Sequence, residues 1–106
     1  MFVSNVAGRA TFSPEKMTKG TLAQGESLFA GLNCFEAGQE HTLHAHPGQD
    51  KLYFILQGSA LVTIGEESRL LSSGDAAMAP SGVQHAIRNP GPGRLVVMAI
   101  LAPPPK

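Results

Sequence analysis

The sequence contains no tryptophan, one tyrosine and one cysteine, and only 15% of its 106 residues are charged. Each shortage removes a class of function. A lone cysteine, Cys34, can form neither an intramolecular disulfide nor a cysteine-rich zinc motif, so it reads as a small buried hydrophobe in a reducing compartment. Eight basic and eight acidic residues cancel to zero net charge, and the basic ones never form a run. That balance leaves no electrostatic case for nucleic acid or an anionic membrane. The longest apolar run, LVVMAILA at 95–102, is too short to span a bilayer. The opening MFVSNVAGRATF lacks the basic-then-apolar order of a signal peptide, and a cytoplasmic location is expected.

Glycine and proline, by contrast, are plentiful at 12 and 8 residues, and they cut the chain into short pieces. The length and a 42% hydrophobic content support a single domain with one core. Strands are predicted over 27–35, 41–46, 51–57, 59–64, 68–71, 76–79, 83–88 and 94–101, most bounded by turn residues. Residues 1–25 are expected to form an N-terminal edge segment, with a one-turn helix start at Ser13-Pro14-Glu15. Residues 26–101 would make the core, and the proline-rich 102–106 an extended tail that cannot join a sheet. No stretch sustains a 3.6-residue period over the length of a helix. The fold class is therefore all-β, a sandwich or a small barrel.

The chemistry concentrates in residues 38–58, GQEHTLHAHPGQDKLYFILQG, which hold three of the four histidines. His44 and His46 stand two apart, so on a strand they share one face. Two imidazoles side by side make half of a transition-metal site, and His85 is the one histidine outside the stretch that could add a third nitrogen. The two histidine-bearing segments are expected to face one another across a barrel interior. His41 is out of phase with His44 and His46, and parity makes it a surface histidine facing away.

These residues resemble the two motifs of the small single-domain cupins. The first motif is written G-x5-H-x-H-x3-4-E-x6-G, and Gly38, His44, His46, Lys51 and Gly58 occupy its spacings. The second is G-x5-P-x-G-x2-H-x3-N, matched by Gly74, Pro80, Gly82, His85 and Asn89. The resemblance covers residues 38–89. It implies a double-stranded β-helix (jelly-roll) barrel with a divalent transition metal held inside by His44, His46 and His85. The family's glutamate ligand does not carry over, because Lys51 stands in its place.

Lys51, Tyr53 and Ile55 share a strand face, and the motif alignment makes it the interior one. An ammonium about 4.5 Å from a divalent cation would be repelled by roughly 7 kcal/mol at an effective dielectric near 20. Deprotonating a lysine at neutral pH costs about 4–5 kcal/mol. Swinging the flexible stem towards the mouth costs less, so Lys51 is expected to carry its charge away from the histidines, towards a carboxylate. A neutral Lys51 acting as a base or Schiff-base nucleophile is the costlier alternative. Asp50 could replace the missing glutamate if a one-residue bulge turned it inward; otherwise water completes a three-histidine site. Such a site suits Zn²⁺, Fe²⁺, Ni²⁺, Cu²⁺ or Mn²⁺ alike. Tyr53 is a pocket candidate beside Lys51, expected to pack with its hydroxyl at the mouth, and Val62, Ile64, Ala76 and Met78 should line the barrel.

Similarity to other three-histidine cupins suggests a metal-dependent, dioxygenase-like enzyme acting on a small organic substrate, an acid or a phenol. The competing reading is a non-enzymatic small-ligand binding or sensing module. Apolar residues on both faces of 52–56 and 94–101 predict a homodimer, unless residues 1–25 fold across the exposed face.

Overall fold

The computed structural model describes residues 1–105, so of the expected 102–106 tail Lys106 lies outside the described residues. Nine strands run in order: β1 (Thr18–Gln24), β2 (Phe29–Phe35), β3 (Glu40–His44), β4 (Asp50–Gln57), β5 (Ser59–Ile64), β6 (Glu67–Ser72), β7 (Ala76–Ala79), β8 (His85–Arg88) and β9 (Leu95–Ala102). They form a five-stranded sheet, β1-β2-β9-β4-β7, and a four-stranded sheet, β3-β8-β5-β6. Every pairing is antiparallel. Among the described residues no helix is long and apolar enough to cross a membrane.

Eight of the strands follow the turn signals closely. The N-terminal expectations fare worse. Residues 1–12 form no strand but contain a 3-10 turn at Ala7–Arg9, and no helix starts at Ser13. Instead β1 pairs along β2 at the sheet's edge, kinked between Thr21 and Ala23. Its pairing with β2 outweighs the poor strand propensity of Gly20 and Gly25 nearby.

Strand parity builds the core. Phe35, Tyr53, Ile55, Val97 and Ala99 from the larger sheet meet Ala60, Val62 and Ile87 from the smaller one. Complete burial of side chains such as Phe35 and Ile55 contributes about 1.5–3 kcal/mol each. On β7 the parity is the reverse of that expected. Register pairs Tyr53 with Ala77 and Lys51 with Ala79, so Ala77 and Ala79 face inward. Ala76 and Met78 face outward, and Met78 is 54% exposed. Two devices pin the sheets together at one end. Gly58, at φ +86°, turns β4 into β5 where a Cβ would lie 2.3 Å from the Arg94 carbonyl oxygen, so only glycine fits. Buried Asn89 donates from its amide to the carbonyls of Phe35 (3.0 Å) and Gly93 (2.8 Å), and its oxygen accepts from the Gly91 N–H (2.8 Å).

Outside the larger sheet, Leu32, Cys34 and Val96 make a second apolar cluster. Val6, Ala10 and Phe12 from the N-terminal segment pack over it, with Leu22, Leu56 and Met98. Cys34 is buried there as a free cysteine, as expected.

Candidate metal centre

The two histidine-bearing segments do not face each other across the interior. They are neighbours in the four-stranded sheet, where His44 on β3 lies directly opposite His85 on β8. In the same ladder His41 lies opposite Ile87, so β3 carries one extra residue between His41 and His44. That bulge reverses the parity of everything before it. His41 therefore turns inward rather than away, and its ring stacks on His44 with centroids 4.0 Å apart. β3 ends at His44, and His46 lies in the following loop. Its backbone carbonyl is held there by the N–H groups of Gln49 (3.2 Å) and Gly82 (3.3 Å).

Ring centroids lie 4.1 Å apart for His44 and His85, 4.8 Å for His44 and His46, and 5.4 Å for His46 and His85. His44 donates from Nδ1 to the Thr42 carbonyl (2.6 Å), and His85 from Nδ1 to the Val83 carbonyl (2.9 Å). Each bond fixes the proton on Nδ1 and leaves the Nε2 lone pair free. Both Nε2 atoms are buried without a hydrogen-bond partner. This is the arrangement of a ligating histidine oriented through its other nitrogen. One nitrogen from each of His44, His46 and His85 lies within 4.8 Å of the others. Two nitrogens bound to one ion at about 2.1 Å can be no more than about 4.2 Å apart, so the widest pair must draw in slightly. The donor set therefore fits a transition metal. Burial lowers the pKa of all four histidines, His44 to about 4 and His41 to about 3, so the rings are neutral and able to ligate at neutral pH.

Asp50 does not join them. β4 is regular at this point, with Asp50 opposite Ala102 and Lys51 opposite Leu101, so no bulge turns the carboxylate inward. Asp50 is exposed and accepts from the Ser81 N–H at 2.9 Å. Lys51 and Tyr53 do face inward from the opposite sheet, as parity predicts. Lys51 nevertheless departs from expectation. Its side chain stays inside, 4% exposed, and makes no salt bridge among the described residues. The ammonium sits 4.9 Å from the centroid of the Tyr53 ring. Burial, with repulsion from Lys19, pulls its pKa down to about 8. Tyr53 is fully buried and its hydroxyl finds no partner, so it does not reach the mouth. Burial raises its pKa.

Beside the histidines opens a cleft of about 730 Å³, within the range of small-molecule sites. His41, His46, Lys19 and Lys51 supply its ionisable groups, and Phe29, Ala99, Leu101 and Pro103–Pro105 its apolar walls. Of the expected tail, Ala102 joins the sheet after all, ending β9 opposite Asp50, and Pro103–Pro105 form a wall of the site, tied by the Gln49 amide donating to the Pro103 carbonyl at 3.0 Å. Sequence reasoning missed Lys19, His41 and the tail. Lys19 sits opposite Asn33 across β1 and β2, and its Nζ lies 3.5 Å from His41 Nε2.

Comparison with known proteins places the chain among relatives of the same architecture. A family model described as Cupin domain (Cupin_2) matches residues 31–101. The crystal structure of TT1209 from Thermus thermophilus superposes with a TM-score of 0.95 at 36% identity, covering 99% of this chain and 100% of that one. KdgF from Halomonas sp. gives a TM-score of 0.86 at 26% identity, covering 100% and 96%. The uncharacterised protein SCO3923 of Streptomyces coelicolor is 30% identical over 78 residues, 74% of this chain and 72% of its own. Of three further curated relatives, the chain spans 56% of the length or less.

Proposed function

The chain belongs to the cupin domain family, and from that premise we propose that it holds one divalent transition metal through His44, His46 and His85 and presents it to a small organic ligand. The observation that carries this reading is the pair of buried Nε2 atoms on His44 and His85, each left without a partner while Nδ1 is anchored to a backbone carbonyl. A bound ion would satisfy both. Three nitrogen ligands leave coordination positions open, and a metal there would supply Lewis-acid polarisation of a ligand oxygen or a site for dioxygen. The chain's own groups orient the ligand and exclude water: Phe29, Leu101 and the proline wall shape the cleft, and Tyr53 packs behind His85 with ring centroids 6.1 Å apart. Metal-stripped protein is expected to take up about one equivalent of Zn²⁺ or Fe²⁺ per chain after dialysis. Elemental analysis showing no retained metal would refute the assignment.

A binding or sensing role is favoured over proton-transfer catalysis by one feature: among the described residues no Asp or Glu lines the cleft. Lys51 would then be the main candidate base. Iron-dependent oxygen uptake on addition of ligand would instead identify a dioxygenase-like enzyme.

We further propose that the protein pairs with a second copy through the outer face of the five-stranded sheet. Leu52 lies between Met78 and Ile100 there, and Phe54 between Ala76 and Met98. The N-terminal segment packs over the neighbouring cluster around Leu32, Cys34 and Val96, and Met78 remains 54% exposed. Zero net charge offers little repulsion between copies. Light scattering at micromolar concentration should give twice the chain mass of 11.1 kDa, and Met78→Glu should shift the protein to monomer. A wild-type monomer would exclude the pairing.

A further inference from the structure

The cleft differs from the rest of the molecule in charge. The chain as a whole is neutral, with as many acidic as basic residues. Yet every ionisable side chain lining the cleft is a base: Lys19, Lys51, His41 and His46. Lys51 is the most telling, because it is 4% exposed and, among the described residues, forms no ion pair. A buried ammonium without a counterion is costly, and chains retain one where something else supplies the opposite charge. A divalent ion on the histidines would deepen the imbalance rather than relieve it.

Resting on the histidine-centred reading above, we propose that the ligand is a small organic carboxylate with an apolar body, its anion held by Lys51 and Lys19. Lys51 rises from β4 and Lys19 from β1, both lining the same cleft, while Phe29, Leu101 and Pro103–Pro105 receive the body. Asn33, itself buried and lining the cleft opposite Lys19, offers an amide beside the anion. Among the described residues no acidic side chain lines the cleft to repel it. A neutral ligand of the same shape would fill the walls but leave Lys51 unpaired, so the cleft discriminates by charge.

Benzoate and its neutral isostere benzamide test this, titrated by calorimetry at low salt into metal-free and zinc-loaded protein. Benzoate is expected to bind about tenfold or more tighter than benzamide in both forms. Lys51→Met should abolish most of that preference, and Lys19→Met, at an exposed site, should reduce it by a smaller factor. Equal binding of the two probes, no binding of either, or a preference that survives Lys51→Met would overturn the proposal. Because the metal-free arm needs no ion, zinc uptake measured separately distinguishes failure of the metal assignment from failure of this one.

Discussion

Replacing His85 with alanine should lower metal affinity by about a thousandfold, since losing one of three protein ligands leaves two, too few for a tight site. Competition with a chromophoric chelator measures this directly, and circular dichroism should show the β-structure retained. His44→Ala and His46→Ala should behave alike, whereas Asp50→Ala should leave affinity unchanged, because that carboxylate is spent on the Ser81 N–H outside the site. Metal content unaffected by His85→Ala would mean the histidines merely line a cavity. The same rings set an acid limit. With the His44 pKa lowered by burial from 6.5 to about 4, the unfolded chain binds a proton that the folded one refuses between those values. Stability of the metal-free protein is therefore full above pH 6.5 and declines as the pH falls towards 4. A denaturation midpoint that stays constant across that window would contradict the burial of His44.

The second large effect belongs to Lys51. Its pKa falls from 10.5 to about 8 on folding, mainly through burial, so holding the proton inside costs about 3 kcal/mol. Lys51→Met should thus stabilise the free protein by up to about 3 kcal/mol at pH 7, read from urea unfolding. The wild type should gain on the variant as pH rises from 8 to 10.5, where the unfolded lysine keeps a proton that the folded one has lost. Lys51→Glu should act on the metal instead. It removes a positive charge and offers an oxygen where the family motif has one, so affinity should rise by about tenfold or more. Should Lys51→Met destabilise the fold, the contact of the ammonium with the Tyr53 ring would outweigh the cost of burying the charge. A stabilising loss of Lys51 that also weakens carboxylate binding would mark it as a residue kept for function at the expense of stability.

Much of this was legible from the sequence because glycine and proline mark turns locally. Gly58, Gly65, Gly74 and Gly82 all sit at positive φ, and the strands between them fall where the turns leave room. The spacing of His44, His46 and His85 likewise carries the site, and the shared inward face of Lys51, Tyr53 and Ile55 follows from parity alone. What could not be read is whatever depends on pairing. The bulge that turns His41 inward exists only because β3 must match β8, and nothing in EHTLH announces an extra residue. The outward turn of Met78 follows from the register with Leu52. β1 is a strand because β2 offers it an edge, and the proline tail becomes a wall because β9 delivers it beside Gln49. Lys51 misled for a related reason: a flexible stem permits escape, but the interior around Tyr53 holds it.

β3 is the outermost strand of its sheet, bonded to β8 alone, whereas β8 is flanked on both sides. His44 and the loop bearing His46 therefore hang from a margin, while His85 is rooted in the interior. Margins of sheets open more often than their centres. Peeling of β3 would withdraw His44 and slacken the loop that follows it, so the residence time of a bound ion would depend on the opening frequency of that strand. Substitutions that tighten the pairing of β3 with β8, far from any donor atom, would then lengthen the lifetime of the bound state without altering its coordination.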